Sequence, residues 1–147
     1  MKILIAVDDS VHSQRAVDFV THMRWPAGSR MLVVSMLEPV EPALPLGSRS
    51  VLNVAAPAEA TTRRDRQEVV KLAVSRLREA GFCVQGSVLD GDAREPLMEM
   101  LDRERVDLLV VGCRGRGSLA RLMLGSVSSH AVGHAPCSVL VVKQDRR

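Results

Sequence analysis

A chain of 147 residues suffices for a single domain, 1–147, with a hydrophobic core of useful size. Its composition, 46% hydrophobic and 25% charged, excludes a disordered chain, and no apolar run approaches the roughly eighteen residues of a membrane span. The net charge of +3 does not indicate nucleic-acid binding, because aromatic residues make up only 2% and acidic residues are interleaved with basic ones along most of the chain.

The first half of the chain predicts two strands and two helices. The apolar run Ile3–Val7 is typical of a strand buried on both faces, as in a parallel sheet. Ser10 is a good N-cap for a helix over Val11–Met23, where apolar residues recur at helical spacing. A second buried strand is expected at Met31–Val34. A second helix is expected over about 58–80, with one apolar and one charged face.

The second half continues the same alternation. Phe82–Leu89 is a weaker strand pattern interrupted by polar residues, which places it at a sheet edge. Leu97–Leu101 predicts a third helix and Leu108–Val111 a buried strand. A short helix around Val127 to Val132 then precedes a last apolar strand at Val139–Val142.

This order of five strands and four helices predicts an α/β fold with a doubly wound parallel sheet, helices on both faces and right-handed crossovers. Ligands bind such sheets beyond the carboxyl ends of the strands, where the strand order reverses. Residues 38–57, rich in proline, are the one long irregular stretch. They form either a lid over such a site or a simple connection.

Two strand ends carry residues suited to binding phosphate. The first strand runs into Asp8-Asp9-Ser10, and the fourth runs into the glycine-rich stretch 112–118. Glycines let a backbone approach a ligand and turn its amide groups toward phosphates. Gly125-Ser126 then opens the last helix, whose free N–H groups and dipole favour an anion. Additional hydroxyl donors are available from Ser126, Ser128 and Ser129.

Several familiar kinds of site are excluded because their sequence motifs are absent. The sequence holds no Walker A loop, no G-x-G-x-x-G after the first strand and no G-x-S-x-G elbow. His130 and His134 stand four apart without an evident third metal ligand, so no zinc site is expected. The arginines Arg114, Arg116 and Arg121 either neutralise a polyphosphate or belong to a solvated loop.

Three cysteines without a close pair indicate a reducing compartment. With no secretory cleavage pattern near the first residues, a cytoplasmic protein is expected. Cys83 and Cys137 are predicted to be small core residues. Cys113 lies on the glycine loop beside arginines, and both a redox role and a simple replacement of serine remain open for it.

The glycine spacing resembles a known family. Gly112-x2-Gly115-x9-Gly125-Ser126 matches the G-x2-G-x9-G-[ST] motif of ATP-binding universal stress proteins. The opening segment 3–10 and the closing segment 134–142 are similar to the same family, so the resemblance extends from end to end. Two departures are Cys113, where the family commonly has serine or threonine, and Ser138, where it usually has proline.

This resemblance implies a five-stranded sheet of order 3-2-1-4-5, with the switch point between the strands that carry Asp8 and Gly112. It implies an adenine nucleotide as ligand, and the arginine cluster favours ATP. On the adenine side, the implied residues are Ala6, Val7 and Met36. Asp8 would lie near the ribose or a magnesium ion. The ribose and phosphates would be held by Val111, Gly112, Gly115, Gly125, Ser126, Val127 and Ser128.

Two functions follow from these patterns. The first is an ATP-binding regulatory protein of the stress response, and the intact glycine spacing favours it. The alternative is a nucleotide-free dimer that acts as a protein-interaction scaffold. No histidine or glutamate in the motif can serve as a general base, so at most slow ATP hydrolysis through Asp8 and magnesium is expected. An enzyme of a related superfamily would need a second-substrate pocket that the chain is barely long enough to form.

The last strand predicts self-association. An apolar strand at a sheet edge is an aggregation hazard unless it is covered. The family resemblance implies that this strand pairs across a dimer axis. We therefore expect a homodimer through Val139, Leu140, Val141 and Val142.

Overall fold

The computed structural model describes residues 1–37, 62–115 and 124–143, so the whole of the predicted 38–57 connection and part of the glycine-rich stretch lie outside the described residues. The strands are β1 (Lys2–Ala6), β2 (Arg30–Leu37), β3 (Cys83–Asp90), β4 (Leu108–Gly112) and β5 (Ser138–Val142). The helices are α1 (Val11–His22), α2 (Arg63–Glu79), α3 (Arg94–Arg103) and α4 (Ser126–His134).

All four strand pairs are parallel, and the strand order is β3-β2-β1-β4-β5. This confirms the predicted order 3-2-1-4-5 and places β3 at one edge. In the central strands, Leu4 is aligned with Leu32 on one side and with Leu109 on the other. The strand order reverses between β1 and β4, so the carboxyl ends of these two strands flank the switch point.

Local capping fixes where the first two helices begin. Ser10 is the N-cap of α1 as predicted, and its hydroxyl oxygen accepts from the Ser13 backbone N–H at 3.2 Å. Thr62 and Asp65 form a capping box for α2, since each side chain accepts from the other residue's backbone N–H. That reciprocal bonding sets the start of α2 at Arg63.

Two apolar cores lie on opposite faces of the sheet. The first packs β-strand residues such as Ile3 and Ile5 against α1 and α2, and the second packs residues such as Leu4 against α3 and α4. The three central residues of β1, Ile3, Leu4 and Ile5, are therefore buried on alternate faces at 0% exposure, as expected of a doubly covered parallel strand. Among the described helices, none is long and apolar enough to cross a bilayer.

The prediction for the cysteines was partly wrong. Cys83 is exposed because it begins the edge strand β3, whereas Cys137 is half-buried. Burial raises the pKa of the Cys137 thiol above its ordinary value. Cys113 is the buried thiol of the three, at 8% exposure.

Candidate functional site

The turn after β1 is fixed by hydrogen bonds around Asp8. Its backbone N–H donates to the Ser13 hydroxyl at 2.9 Å, and its Oδ1 accepts from both the backbone N–H and the hydroxyl of Ser10, at 3.0 and 2.5 Å. Ser10 thus caps α1 and holds the half-buried carboxylate at once. The second oxygen, Oδ2, points toward Gly115, where a Cβ would lie 2.8 Å from it. The acidic turn is therefore oriented toward the end of β4.

The end of β4 lies directly against the first turn of α1. A Cβ on Gly112 would lie 2.7 Å from the backbone carbon of His12 and 2.8 Å from its oxygen. On the other side, the buried Ser128 hydroxyl donates to the Gly112 carbonyl oxygen at 2.7 Å. Gly112 therefore joins the β1–α1 turn to α4.

The two ends of the glycine-rich loop also meet. The Gly125 N–H donates to the Cys113 carbonyl oxygen at 2.9 Å, and a Cβ on Gly125 would lie 3.3 Å from both the Arg114 Cα and the Gly115 nitrogen. None of the three motif glycines has a positive φ, in contrast to Gly28, Gly81 and Gly91. Gly112 and Gly125 lack a side chain where backbone atoms approach closely, whereas at Gly115 the nearest atom is an oxygen of the Asp8 carboxylate.

The amino end of α4 faces this junction without a side-chain cap. Its N-cap is Gly125, and the first helical residues are the exposed Ser126, the half-buried Val127 and the buried Ser128. The N–H groups of a first helical turn have no intrahelical partner, and the helix dipole adds positive potential there. The Ser128 hydroxyl is engaged with Gly112, so a ligand would meet its backbone amide rather than its side chain.

An apolar surface adjoins the loops on the α3 and α4 side of the sheet. Ala6 is paired in register with Val111, and both belong to the core on that side together with Met36 and Val127. Val7, by contrast, is 5% exposed and packs into the core under α1 and α2. Of the three residues expected on the adenine side, Ala6 and Met36 thus share a face, whereas Val7 offers that face only its backbone.

Two apolar residues of this surface escaped the sequence analysis. Leu89 is aligned with Met36 across the β2–β3 pair, and both Leu89 and Met98 of α3 pack partly buried on the same core. The alternation of side chains along β3 could have identified Leu89, since every second residue of a strand shares a face. No comparable sequence pattern identifies Met98, whose place on this surface is seen only in the three-dimensional fold.

The Cys113 thiol has a described polar contact with a residue that the sequence analysis did not name. The Cys113 sulfur lies 3.5 Å from His12 Nδ1, and Arg114 is half-buried, while Arg116 and Arg121 lie outside the described residues. The nearest described polar partner of this thiol is thus a histidine of α1.

A buried arginine lies beside the acidic turn on the α1 and α2 side. Arg66 of α2 is 8% exposed, its terminal nitrogen lies 3.8 Å from Asp9 Oδ1, and its Nε has no hydrogen-bond partner. Its spacing of four residues from buried Val70 is the sequence signal that places it on the inner face of the helix.

No metal site is evident in the three described ranges, where no three histidine, cysteine, aspartate or glutamate side chains come together. The rings of His130 and His134 stack at 4.3 Å, and His134 Nδ1 lies 3.0 Å from the carbonyl oxygen of His130. The helical spacing of the two histidines therefore produces a ring stack on one face of α4.

Comparison with known proteins identifies the family. A model of the universal stress protein family matches residues 1–143. The chain belongs to the universal stress protein family. A curated universal stress protein from Thermus aquaticus is 32% identical over 150 residues, which cover 96% of this chain and 97% of that protein.

Solved universal stress proteins share the fold. A family protein from Arabidopsis thaliana with AMP bound has a TM-score of 0.69 at 20% identity, covering 99% of this chain and 93% of that one. A universal stress protein in complex with cAMP has a TM-score of 0.70 at 22% identity, covering 97% and 96%. These structures confirm the α/β fold predicted from the sequence.

Proposed function

We propose that this chain is an ATP-binding regulatory protein of the stress response, with the nucleotide held at the carboxyl end of the sheet between β1 and β4. The observation that carries the proposal is the apolar surface of Ala6, Met36 and Val127 beside the junction of the two glycine-containing loop ends. Relatives of the same fold hold AMP and cAMP, which supports an adenine nucleotide.

The described residues fit such a ligand. The flat face of a purine ring packs well on apolar side chains, and partly buried Ala6, Met36 and Val127 offer it such a surface. The amide groups at the start of α4 offer donors to phosphate oxygens, and a helix amino terminus is a favourable anion site. With no Cβ at Gly115, the space in front of Asp8 Oδ2 stays open.

The hydrogen bonds already formed within the protein determine which polar groups would be available to a nucleotide. The Gly125 N–H and the Ser128 hydroxyl are used within the loop, so the phosphate donors would be the amides of Ser126, Val127 and Ser128 together with the Ser126 hydroxyl. Asp8 Oδ1 is held by Ser10, which leaves Oδ2 to accept from a ribose hydroxyl or to ligate magnesium. When bound, magnesium would neutralise charge on the phosphates.

A regulatory role fits better than fast catalysis. The two described candidates for a general base near the end of β4 are both engaged, because Asp8 Oδ1 accepts from the Ser10 hydroxyl and His12 Nδ1 lies 3.5 Å from the Cys113 sulfur. General-base catalysis needs a group within reach of the attacking water. We therefore expect the bound state of the protein to carry the signal, in the cytoplasm.

The test is to measure nucleotide released on denaturing the purified protein, and calorimetric binding of Mg-ATP, ADP and AMP. Gly115→Ala places a methyl group against the flexible end of Asp8, so we expect a folded protein with weaker nucleotide binding. Gly133→Ala is the matched control, because its Cβ would meet no heavy atom within 4 Å.

The two possible outcomes distinguish a nucleotide-binding protein from a nucleotide-free scaffold. ATP released from the parent and from Gly133→Ala, with less from Gly115→Ala, would support the nucleotide site. If no nucleotide is released and no Mg-ATP binding heat appears, the nucleotide proposal fails and the dimeric scaffold becomes the better account.

We also propose a homodimer through β5. This strand ends the described sheet opposite β3, and Val139, Leu140 and Val141 are only half-buried in the single chain. Pairing with a second copy would cover this apolar edge. Val141→Lys should give monomers or insoluble protein by light scattering, whereas Leu72→Lys, at a position 65% exposed on α2, should remain dimeric. An unchanged dimer in Val141→Lys would refute this interface.

A further inference from the structure

A groove runs between α2 and the outer side of the edge strand β3, and no residue of the glycine loops lines it. Its volume is about 360 Å³. The apolar residues that line it are Val70, Val74 and Val88, and the cationic ones are Arg63, Lys71 and Arg78. No acidic residue lines it within the part of the chain that the structure describes. We call this feature the β3 groove.

Gly86 lies at the middle of the β3 groove. A Cβ there would lie 2.5 Å from Val70 Cγ1 and 2.8 Å from Val74 Cγ2, so α2 packs directly over the strand at this point. Gly86 is itself exposed, with the side chains of Val70 and Val74 over one face of the strand. The strand backbone is thus accessible where the helix is closest.

Within the described residues, no strand pairs with the outer backbone edge of β3. β3 has eight residues and forms one end of the described sheet. Arg78 donates to the Val84 carbonyl oxygen at 3.1 Å, which directs that carbonyl away from β2 and toward the groove. Because strand geometry repeats every second residue, the carbonyls of Gly86 and Val88 face the same side. An edge of this kind is a template for an added strand.

The cationic side chains of the β3 groove differ in how strongly they interact with other groups of the protein. Arg63 forms an ion pair with Asp90, and Arg78 is bonded to the strand backbone. Lys71 is 76% exposed in its side chain, and its nitrogen lies 3.8 Å from Glu68 Oε1, beyond normal hydrogen-bond distance. Lys71 therefore contributes the most readily available positive charge.

We propose that the β3 groove binds an extended acidic segment of another protein, which adds as a sixth strand beside β3. Backbone hydrogen bonds would come from the outer edge at Gly86 and Val88. Acidic side chains at alternate positions of the segment would face Lys71 and Arg78 on the α2 side. A second copy of this chain is the poorer occupant, because two β3 grooves facing each other would bring like charges together.

The test uses fluorescence anisotropy of a dye-labelled peptide of about eight residues, the length of β3, with alternating glutamate and valine. Two control peptides carry lysine in place of glutamate, or methyl groups on alternate backbone nitrogens. The protein is the full chain, as parent, Lys71→Glu and Arg64→Glu. Arg64 is the matched control, because it is exposed on the same helix but does not line the groove.

We expect the acidic peptide to bind and the lysine peptide to fail. Reversing the charge of Lys71 should weaken binding by about fivefold, whereas Arg64→Glu should change it little. Backbone methylation should abolish binding, since it removes the donors that an added strand requires. Binding should weaken with added salt and should be unaffected by saturating Mg-ATP, which separates this site from the proposed nucleotide site.

Four results would overturn the proposal. The acidic peptide could fail to bind the parent. Lys71→Glu and Arg64→Glu could weaken binding equally, which would mean only a general attraction to positive charge. The methylated peptide could bind as well as the parent peptide, which would exclude strand addition. A single-stranded oligonucleotide could displace the peptide at equal concentration, which would make the groove a general polyanion site.

Discussion

Replacing Gly112 with alanine should destabilise the protein, because the new methyl group would overlap the backbone of His12. The new Cβ would lie 2.7 Å from the His12 backbone carbon and 2.8 Å from its oxygen, and these backbone atoms cannot rotate away. The first turn of α1 would have to move, although Asp8 is bonded to both Ser10 and Ser13 at that end. Overpacking costs about 1–3 kcal/mol. Because backbone must shift here, we expect about 3 kcal/mol, or a fall in Tm of roughly 6–12 °C.

Urea unfolding followed by circular dichroism would measure this effect without any ligand. Gly133→Ala is again the control, since it adds a methyl group to open space on α4 and should stabilise the protein by about 0.5–1 kcal/mol. If Gly112→Ala unfolds at the same urea concentration as the parent, close packing of α1 does not explain the glycine. A constraint imposed by the ligand would then be the better explanation.

Three further effects are expected. Ser128→Ala should cost about 1–3 kcal/mol in urea unfolding, because the buried Gly112 carbonyl oxygen loses its donor; an unchanged midpoint would contradict this. Hydrogen bonds from Arg94 lower the pKa of Asp92 to about 2, so the stabilisation from this carboxylate should be present above pH about 4 and lost toward pH 2. The difference in urea midpoint between parent and Asp92→Asn should shrink over that range, and a constant difference would refute it. In thiol titration with a disulfide reagent, Cys83 should react first because it is exposed, and Cys83→Ser should remove the fast phase.

The fold could be predicted from the sequence because its signals are local and repeated. Continuous β-branched runs such as Ile3–Val7 identify strands covered on both faces, and Ser10 marks the start of α1. Alternation of strands and helices then restricts the topology to a few parallel arrangements. The particular order 3-2-1-4-5 needed the family resemblance, because local patterns do not say on which side of β1 each crossover falls.

The site was less predictable because its contacts join segments far apart in the chain. The motif placed Gly112 and Gly125 in one loop, yet nothing in the sequence indicated that His12 packs on Gly112 or that Ser128 bonds to its carbonyl. Likewise, Ala6 and Val7 are adjacent in a predicted strand and so must face opposite sides of the sheet, but only the structure shows that Ala6 faces the core under α3 and α4 and Val7 the core under α1 and α2. The face of the sheet on which a given side chain lies depends on how the strands pair, and residue type does not encode that pairing.

The glycine spacing therefore has two separable causes. An added Cβ would lie 2.7 Å from backbone at Gly112, which excludes a side chain there without a backbone shift, and 3.3 Å from backbone at Gly125, which disfavours one, so both positions favour glycine even in a protein that binds nothing. At Gly115 the nearest atom is Oδ2 of the Asp8 side chain, which has no described hydrogen bond, so a small rotation of the carboxylate could make room for a methyl group at less cost to the fold than a backbone shift. If glycine at position 115 serves function, it does so by leaving room for a ligand and by letting the Asp8 carboxylate keep the orientation that a ligand would use. Substitutions at Gly115 thus report on binding, whereas those at Gly112 report first on folding.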